Sequence, residues 1–269
     1  ALDRPMYAQY AHWITNFLRG DMGRSFYWNK PVSTLIGERI VLSMVVSSLT
    51  LVVTYLIAIP VAIVASVKQY SLLDNVVTFV AFIGVGLPSF LVALTFMFLA
   101  IKYLGMSAGG LFSPQFLDAP WSYARVIDMV KHMWLPVAVI GVSGTAGTIR
   151  VMRAMTLDEL SRPYVEAARA RGLTELQAIL RYPVRVAINP ILSTIGWQLP
   201  AIVSGEVLVS LVLGLPTTGP LLYGALLTQD MFLAGSFIMI LSTLTVIGTF
   251  VSDILLAWID PRIRYGEAH

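Results

Sequence analysis

Few side chains in this sequence can do covalent chemistry. The three histidines, His12, His132 and His269, are widely separated and form no metal-ligand spacing. Cysteine is absent, which removes disulfide, iron–sulfur and thiolate–metal chemistry. No Gly-x-x-x-x-Gly-Lys-Ser/Thr loop cradles a phosphate, so the chain is not an ATPase by that mechanism. Gly214-Leu215-Pro216-Thr217-Thr218-Gly219-Pro220 has the right small residues but lacks lysine. Glu206 and Asp253 are the acids in or beside the last two long apolar runs. Intramembrane acids often mark ion pathways. Glu206 falls near the outer end of its run, however, and Asp253 lies two turns from the charged Asp260–Arg264 ending. Acids near opposite faces make no proton relay, and structural roles are expected for both.

A different chemistry, recognition between proteins, fits Pro163-Tyr164-Val165-Glu166-Ala167-Ala168-Arg169-Ala170-Arg171-Gly172. Pro163 suits a helix's first turn, and Gly172 suits the left-handed residue that ends one. About nine residues give roughly 13 Å of helix, too short and too polar to cross a bilayer. Ala167, Ala168 and Ala170 keep that helix slim, so a partner could approach its backbone. Glu166 can pair with Arg169 one turn on. Thr174 and Gln177 then form a capping box that opens a second short helix, which Pro183 ends or kinks. An ordinary loop helix is the structural alternative.

The elements that carry this segment are membrane spans. Hydrophobic residues make up 57% and charged residues 12%, against roughly 25% charged in soluble domains. Ile40 to Val67 holds 28 residues without a charge, and Val76 to Ile101 another 26. About 20 apolar residues suffice to cross a bilayer. The 16 Leu, Ile and Val of the first run favour insertion by roughly 5–10 kcal/mol in total. Met133–Ile149, Ala187 to about Gly205, and Met231 to about Ile259 complete five expected spans. The fold class is therefore all-α, a polytopic transmembrane helical bundle.

Pro60 and Pro88 sit inside their runs and predict kinks or local unwinding. Gly84, Gly86 and Pro88, with Ser89 beside them, make the second run the candidate translocation-pathway element. A kink that merely aids packing is the alternative. Gly141 to Gly147 gives the third run a small-residue face. Residues 102–132 form the longest external connection between spans, with turns expected in it and no folded module. At the start, Tyr10, Trp13, Ile14, Phe17 and Leu18 fall at helical spacing, after Asp3 as cap and Pro5 near the first turn. That face suits the outer membrane interface, or packing on the outer ends of the spans.

Several stretches together resemble one family. Glu166-Ala167-Ala168, three residues and Gly172 are similar to the coupling loop of ABC importer permeases. Leu2-Asp3-Arg4-Pro5, Leu18–Phe26, Leu87-Pro88-Ser89-Phe90 and Asp260–Tyr265 resemble segments of B-type dipeptide/oligopeptide permeases, in that family's order. The resemblance implies ATPase coupling through Glu166, Ala167, Ala168, Arg169, Arg171, Gly172 and Leu173. It implies a second homologous permease, two ATPase subunits and an extracytoplasmic solute-binding protein as partners. ATP and Mg are expected on the ATPase subunits, with no cofactor in this chain. Leu215, Thr217 and Ser210 depart from the family's Trp-Pro-Gly-x-Gly and preceding Glu, which leaves the solute open between peptides, oligosaccharides and nickel.

Placing 150–185 in the cytosol, with 68–75 and 260–269, gives those 54 residues 10 Lys and Arg, against 8 in the 95 residues of 1–39, 102–132 and 206–230. That asymmetry follows the positive-inside rule and puts the Ala1 end outside. The expected location is a bacterial or archaeal cytoplasmic (inner) membrane. Residues 1–39 are expected as an external segment, and 40–269 as the permease domain with its coupling loop 150–185. The family usually carries one more span before Leu2, so a sixth span upstream of Ala1 is expected. The net charge of +3 is accounted for by the basic loops, which contact membrane lipid, and no nucleic acid is expected as a partner. An ion-coupled secondary transporter would need paired intramembrane charges and broken helices in matching halves. An intramembrane enzyme would need a nucleophile–base or acid pair. A passive channel is the third alternative.

Overall fold

The computed structural model describes residues 5–105, 109–117, 119–194, 201 and 206–259. Among them every regular element is a helix, with one isolated bridge between Arg24 and Pro31. Helix α1 (Met6–Leu18) leads by a turn-rich segment to α2 (Val32–Val67). Then come α3 (Leu72–Gly86), α4 (Ser89–Leu104) and α5 (Tyr123–Leu160). Four short helices follow: α6 (Pro163–Ala170), α7 (Glu175–Arg181), α8 (Pro183–Ala187) and α9 (Asn189–Ser193). The described chain ends with α10 (Val207–Val212), α11 (Thr218–Leu227) and α12 (Met231–Ile259).

Two long helices form the spine. α2 has 36 residues and α5 has 38, about 54 and 57 Å at 1.5 Å per residue. They pack in parallel. Leu42 and Val46 share a core cluster with Met133, Leu135 and Val137 at one end, and the Ser66 hydroxyl donates to the Arg153 carbonyl at the other. Small residues set the closeness between them. A Cβ on Gly141 or Gly144 would meet Thr54 at 3.8 or 3.6 Å, consistent with the small face read from the sequence. Both spans are longer than expected. α2 begins at Val32, so a division at residue 39 falls inside it. α5 reaches Leu160, so the first eleven residues of the expected loop continue the span. Both helices also run unbroken through an internal proline, Pro60 and Pro136, and the unwinding expected at Pro60 is not observed.

Two parallel neighbours need a return crossing, and α3–α4 supplies it. α3 starts at the Arg153 end, where the buried Asp74 carboxylate accepts from Arg153 Nε and Nη2 at 2.6 and 2.8 Å. It then climbs α5 until Gly84 meets Ala146. α4 continues to the far end, where Val92, Ala93 and Ala100 join the Met129–Val139 cluster. Between them the path bends by 103°. The described chain therefore has three helices long and apolar enough to cross a membrane, or four with this bent pair taken as one span. The fifth expected span, from Ala187 to about Gly205, lies about half outside the described residues, and the ending from Asp260 lies wholly outside them.

The 102–132 connection is more ordered than its composition suggests. Leu111 and Phe112 enter the core, and Arg125 gathers the loop. Its Nη1 donates to the Ala119 carbonyl at 2.6 Å and its Nη2 to the Leu117 carbonyl at 3.2 Å. The guanidinium stacks over Phe112 and Trp121 at 4.7 and 4.5 Å. Asp128 accepts from the Ser113 N–H and hydroxyl at 2.7 and 2.6 Å. The segment before α2 is tied down in the same way. Fully buried Asp230 accepts from the Ser25 hydroxyl and from the Tyr27 and Leu233 N–H groups. Trp13 lies against Gly235, while Tyr10 and Leu18 stay exposed. α1 thus packs on α12 along one edge, with Ile14 and Phe17 half-buried as well.

Candidate functional site

The first site is an elbow at the Arg153 end of the spine. Arg162 enters α6 in extended conformation, Pro163 takes the first helical position, and Val165 and Ala168 are buried. Glu166, Ala167, Arg169, Ala170, Arg171 and Gly172 are exposed and Leu173 is half-buried. Ala168 therefore packs inward, while Ala167 and Ala170 form the slim outer face. Gly172 ends the helix at φ +83°, a left-handed conformation that side chains bearing a Cβ resist. A Cβ there would meet nothing within 4 Å, so the requirement is purely one of backbone. Thr174 then starts α7 with a full capping box to Gln177.

One ion pair locks the two arms. Arg169 donates from Nε and Nη2 to the Glu175 carboxylate at 2.9 and 2.6 Å. This replaces the expected pairing with Glu166, which leaves that carboxylate on the open face. The Glu175 hydrogen bond, more than any distant charge, holds the Arg169 guanidinium above its usual range. At the root of the elbow, the Tyr164 hydroxyl donates to Glu159. Burial first, and Glu159 second, push that phenol up to about 12. Met152, Ala187 and Ile191 pack with Ala58 and Ala62, so α8 and α9, which follow the elbow, return onto the spine.

The outer surface continues past Leu173. Leu173, Leu176, Gln177, Leu180 and Arg181 line a shallow hollow of about 380 Å³. Leu176 and Leu180 expose 65% and 48% of their surface, which is far more than a solvated helix needs. The sequence reading stopped at Leu173. The signal was available in two leucines at i, i+4 on a short helix beyond the spans.

The second site lies at the α3–α4 break. α3 stops at Gly86, Leu87 and Pro88 are extended, and Ser89 opens α4. The kink expected at Pro88 is thus a complete break. Gly84 takes another role. A Cβ there would lie 2.8 Å from Ala146 Cβ, so it is a packing glycine against α5. Gly86 and Pro88 are exposed, and Ser89 is half-buried. The Ser89 hydroxyl donates to the Glu206 carboxylate. Glu206 also lines a groove of about 390 Å³ with Ser47, Thr50, Leu51, Thr54, Tyr55, Ile140, Gly144, Thr148 and Ala201. Those α2 and α5 residues lie near the middle of the spine. Glu206 therefore reaches mid-depth, not the outer end expected for it. The hydroxyls at 47, 50 and 54 share one face of α2, a spacing visible within the apolar run. Asp253 is exposed on α12. Among the described residues no group of three His, Cys, Asp or Glu could hold a metal ion.

A model of the binding-protein-dependent transport system inner membrane component family matches residues 58–265. The chain belongs to that family. The oligopeptide transport system permease protein AppB of Bacillus subtilis is 30% identical over 98% of this chain and 82% of its own. The oligopeptide transport system permease protein OppB of Haemophilus influenzae is also 30% identical, with the same coverage. A putative peptide permease protein of Brucella suis is 28% identical over 98% of this chain and 81% of its own. Among solved structures, a chain of the MetNI methionine ABC transporter in an inward-facing conformation superposes with a TM-score of 0.63, at 14% identity. That match covers 84% of this chain and 96% of the other, and supports the fold.

This permease is therefore a multi-pass inner-membrane subunit of an ABC importer and is not the importer's ATPase. Membership implies a second permease, ATPase subunits and a binding protein around it, with ATP and Mg acting on the ATPases.

Proposed function

We propose that the permease carries peptides from a binding protein to the cytosol, coupled to an ATPase through the α6–α7 elbow. The relatives' names, oligopeptide permeases at 30% identity over nearly the whole chain, support peptides as the solute class. The observation that carries the coupling is the elbow's construction. Two short helices are fixed at Gly172, locked by Arg169–Glu175 and rooted on α5, a helix continuous to the opposite end. Such a lever passes a displacement into the spine without bending. Glu166, Ala167, Ala168, Arg169, Arg171, Gly172 and Leu173 belong to the docking element, with Ala168 supporting it from within. Leu176 and Leu180 extend its surface.

Closure of an ATPase pair against two such elbows, one from each permease, would switch the pathway between inward- and outward-facing states. Gly86, Pro88 and Ser89 belong to that pathway, with the break in α3–α4 as the element that yields. The elbow end of the spine faces the cytosol, and the Arg125–Asp128 end and α1 face outward. Residues 1–39 serve as the external segment and 40–269 as the permease domain. The test is co-purification followed by uptake. Tagged permease should bring down two ATPase chains and a second permease. Reconstituted with its co-encoded binding protein, it should take up radiolabelled trialanine only with ATP. A complex that assembles and imports maltotriose or nickel but no peptide would refute the solute class and leave the coupling intact.

A further inference from the structure

The groove between α2 and α5 has a one-sided chemistry that a passage for arbitrary solutes would not require. Five of its ten lining residues carry hydroxyls: Ser47, Thr50, Thr54, Tyr55 and Thr148. Glu206 is its carboxylate, and among the described residues no Lys or Arg lines it. The Thr50 hydroxyl already donates to the Val46 carbonyl at 2.8 Å, so only its lone pairs can serve a ligand. The Thr145 hydroxyl donates to Thr54 Oγ1 at 3.5 Å. Glu206 occupies the N-cap position of α10 yet makes no cap with that helix. Its carboxylate turns to Ser89 at the α3–α4 break instead. One hydroxyl uses a single site of the roughly four at which a carboxylate accepts. The groove therefore offers negative charge and acceptor lone pairs at a depth where an unpaired charge is costly.

We propose that this groove is a binding site for the ammonium group of the transported solute, with Glu206 as its counter-ion and the α2 and α5 hydroxyls as its remaining acceptors. An ammonium brings three donors and no acceptor, which the Glu206 carboxylate and the remaining hydroxyl lone pairs can receive. In a peptide importer the group is the peptide's free N-terminus, so the solute part of this proposal rests on the function proposed above. Because Ser89 shares the carboxylate, a cation bound there sits on the same group that ties the break to α10. Occupancy is thereby connected to the element expected to yield.

Single cysteines in this cysteine-free chain test it directly. Ser47→Cys and Thr148→Cys, each in the assembled complex in nanodiscs, are reacted with a cationic ethylammonium methanethiosulfonate and with its anionic ethylsulfonate analogue. Reaction should favour the cation by about tenfold or more, as expected for a unit charge nearby in a poorly screened site. Adding Glu206→Gln should bring that preference to within about twofold of the one measured on a free thiol. An unchanged preference, or no reaction with either reagent, overturns the site. Trialanine should protect the cysteines, and N-acetyl-trialanine should protect them at least tenfold more weakly. If Glu206-dependent cation preference is present but trialanine gives no protection, the ammonium site stands and the peptide assignment fails. Equal protection by both peptides, unaffected by Glu206→Gln, removes the N-terminus from the site.

Discussion

At the residue scale, two glycines do opposite things, and substitutions separate them. Gly172 is needed for its backbone, at φ +83° with open space where a Cβ would stand. A left-handed L-residue is disfavoured by about 1–2 kcal/mol, and asparagine tolerates the region best. Gly172→Val should therefore weaken ATPase retention in pull-downs severalfold, while Gly172→Asn keeps most of it. Equal loss from both would show that side-chain volume matters there. Gly84 is needed for its absent side chain, because a Cβ would lie 2.8 Å from that of Ala146. Overpacking of this kind costs about 1–3 kcal/mol. Gly84→Ala should lower the thermal midpoint of the purified complex by several degrees, and adding Ala146→Gly should recover most of it. Both glycines are plain in the sequence. Their different reasons are not, since φ and the distance to a neighbouring helix are set by the chain around them.

At the element scale, the α3–α4 pair and the elbow depend on a few polar locks. Asp74 is almost fully buried and accepts a bidentate pair from Arg153. Removing one partner of a buried pair costs up to about 3–5 kcal/mol, and less here because the Arg153 left behind is partly exposed. Asp74→Ala should reduce the amount of assembled complex sharply. Asp74→Ala with Arg153→Met should restore part of it, a recovery that size-exclusion profiles would show. At the other end of α3, Ser89→Trp should block uptake while basal ATP hydrolysis and assembly persist, because the elbow is untouched. Wild-type transport by an intact Ser89→Trp complex would take the break out of the pathway. On the elbow, Leu176→Ser with Leu180→Ser should release the ATPase subunits without loss of membrane insertion. The Thr174–Gln177 capping box, the glycine stop and a disturbance at Pro88 were legible because each acts within a few residues. The Arg169–Glu175 pair was missed because a carboxylate six residues away competes with Glu166 only once the turn at Gly172 has brought α7 back.

At the scale of the whole molecule, the spine fixes which residues share an end. Lys68, Asp74, Arg153 and the elbow lie at one end, with Glu38, Arg125 and Asp128 at the other. Cysteines at exposed Arg171 and Tyr123 should therefore label from opposite sides of sealed vesicles. With an impermeant thiol reagent added outside right-side-out vesicles, Tyr123→Cys should react and Arg171→Cys should not, and the reverse pattern would invert the orientation. By itself the sequence determined the helical class, the presence of several spans, the short polar helix at 163–170 and the lack of a P-loop motif. Each of these follows from hydropathy over about 20 residues or from motifs a few residues long. Only the tertiary structure decided that α2 and α5 run parallel, that α3–α4 returns through a 103° bend, and that Glu206 meets Ser89 at mid-depth. Those outcomes depend on contacts between residues about 100 positions apart. Hydropathy is blind to them, because every face of a membrane helix is apolar whether it meets lipid or another helix.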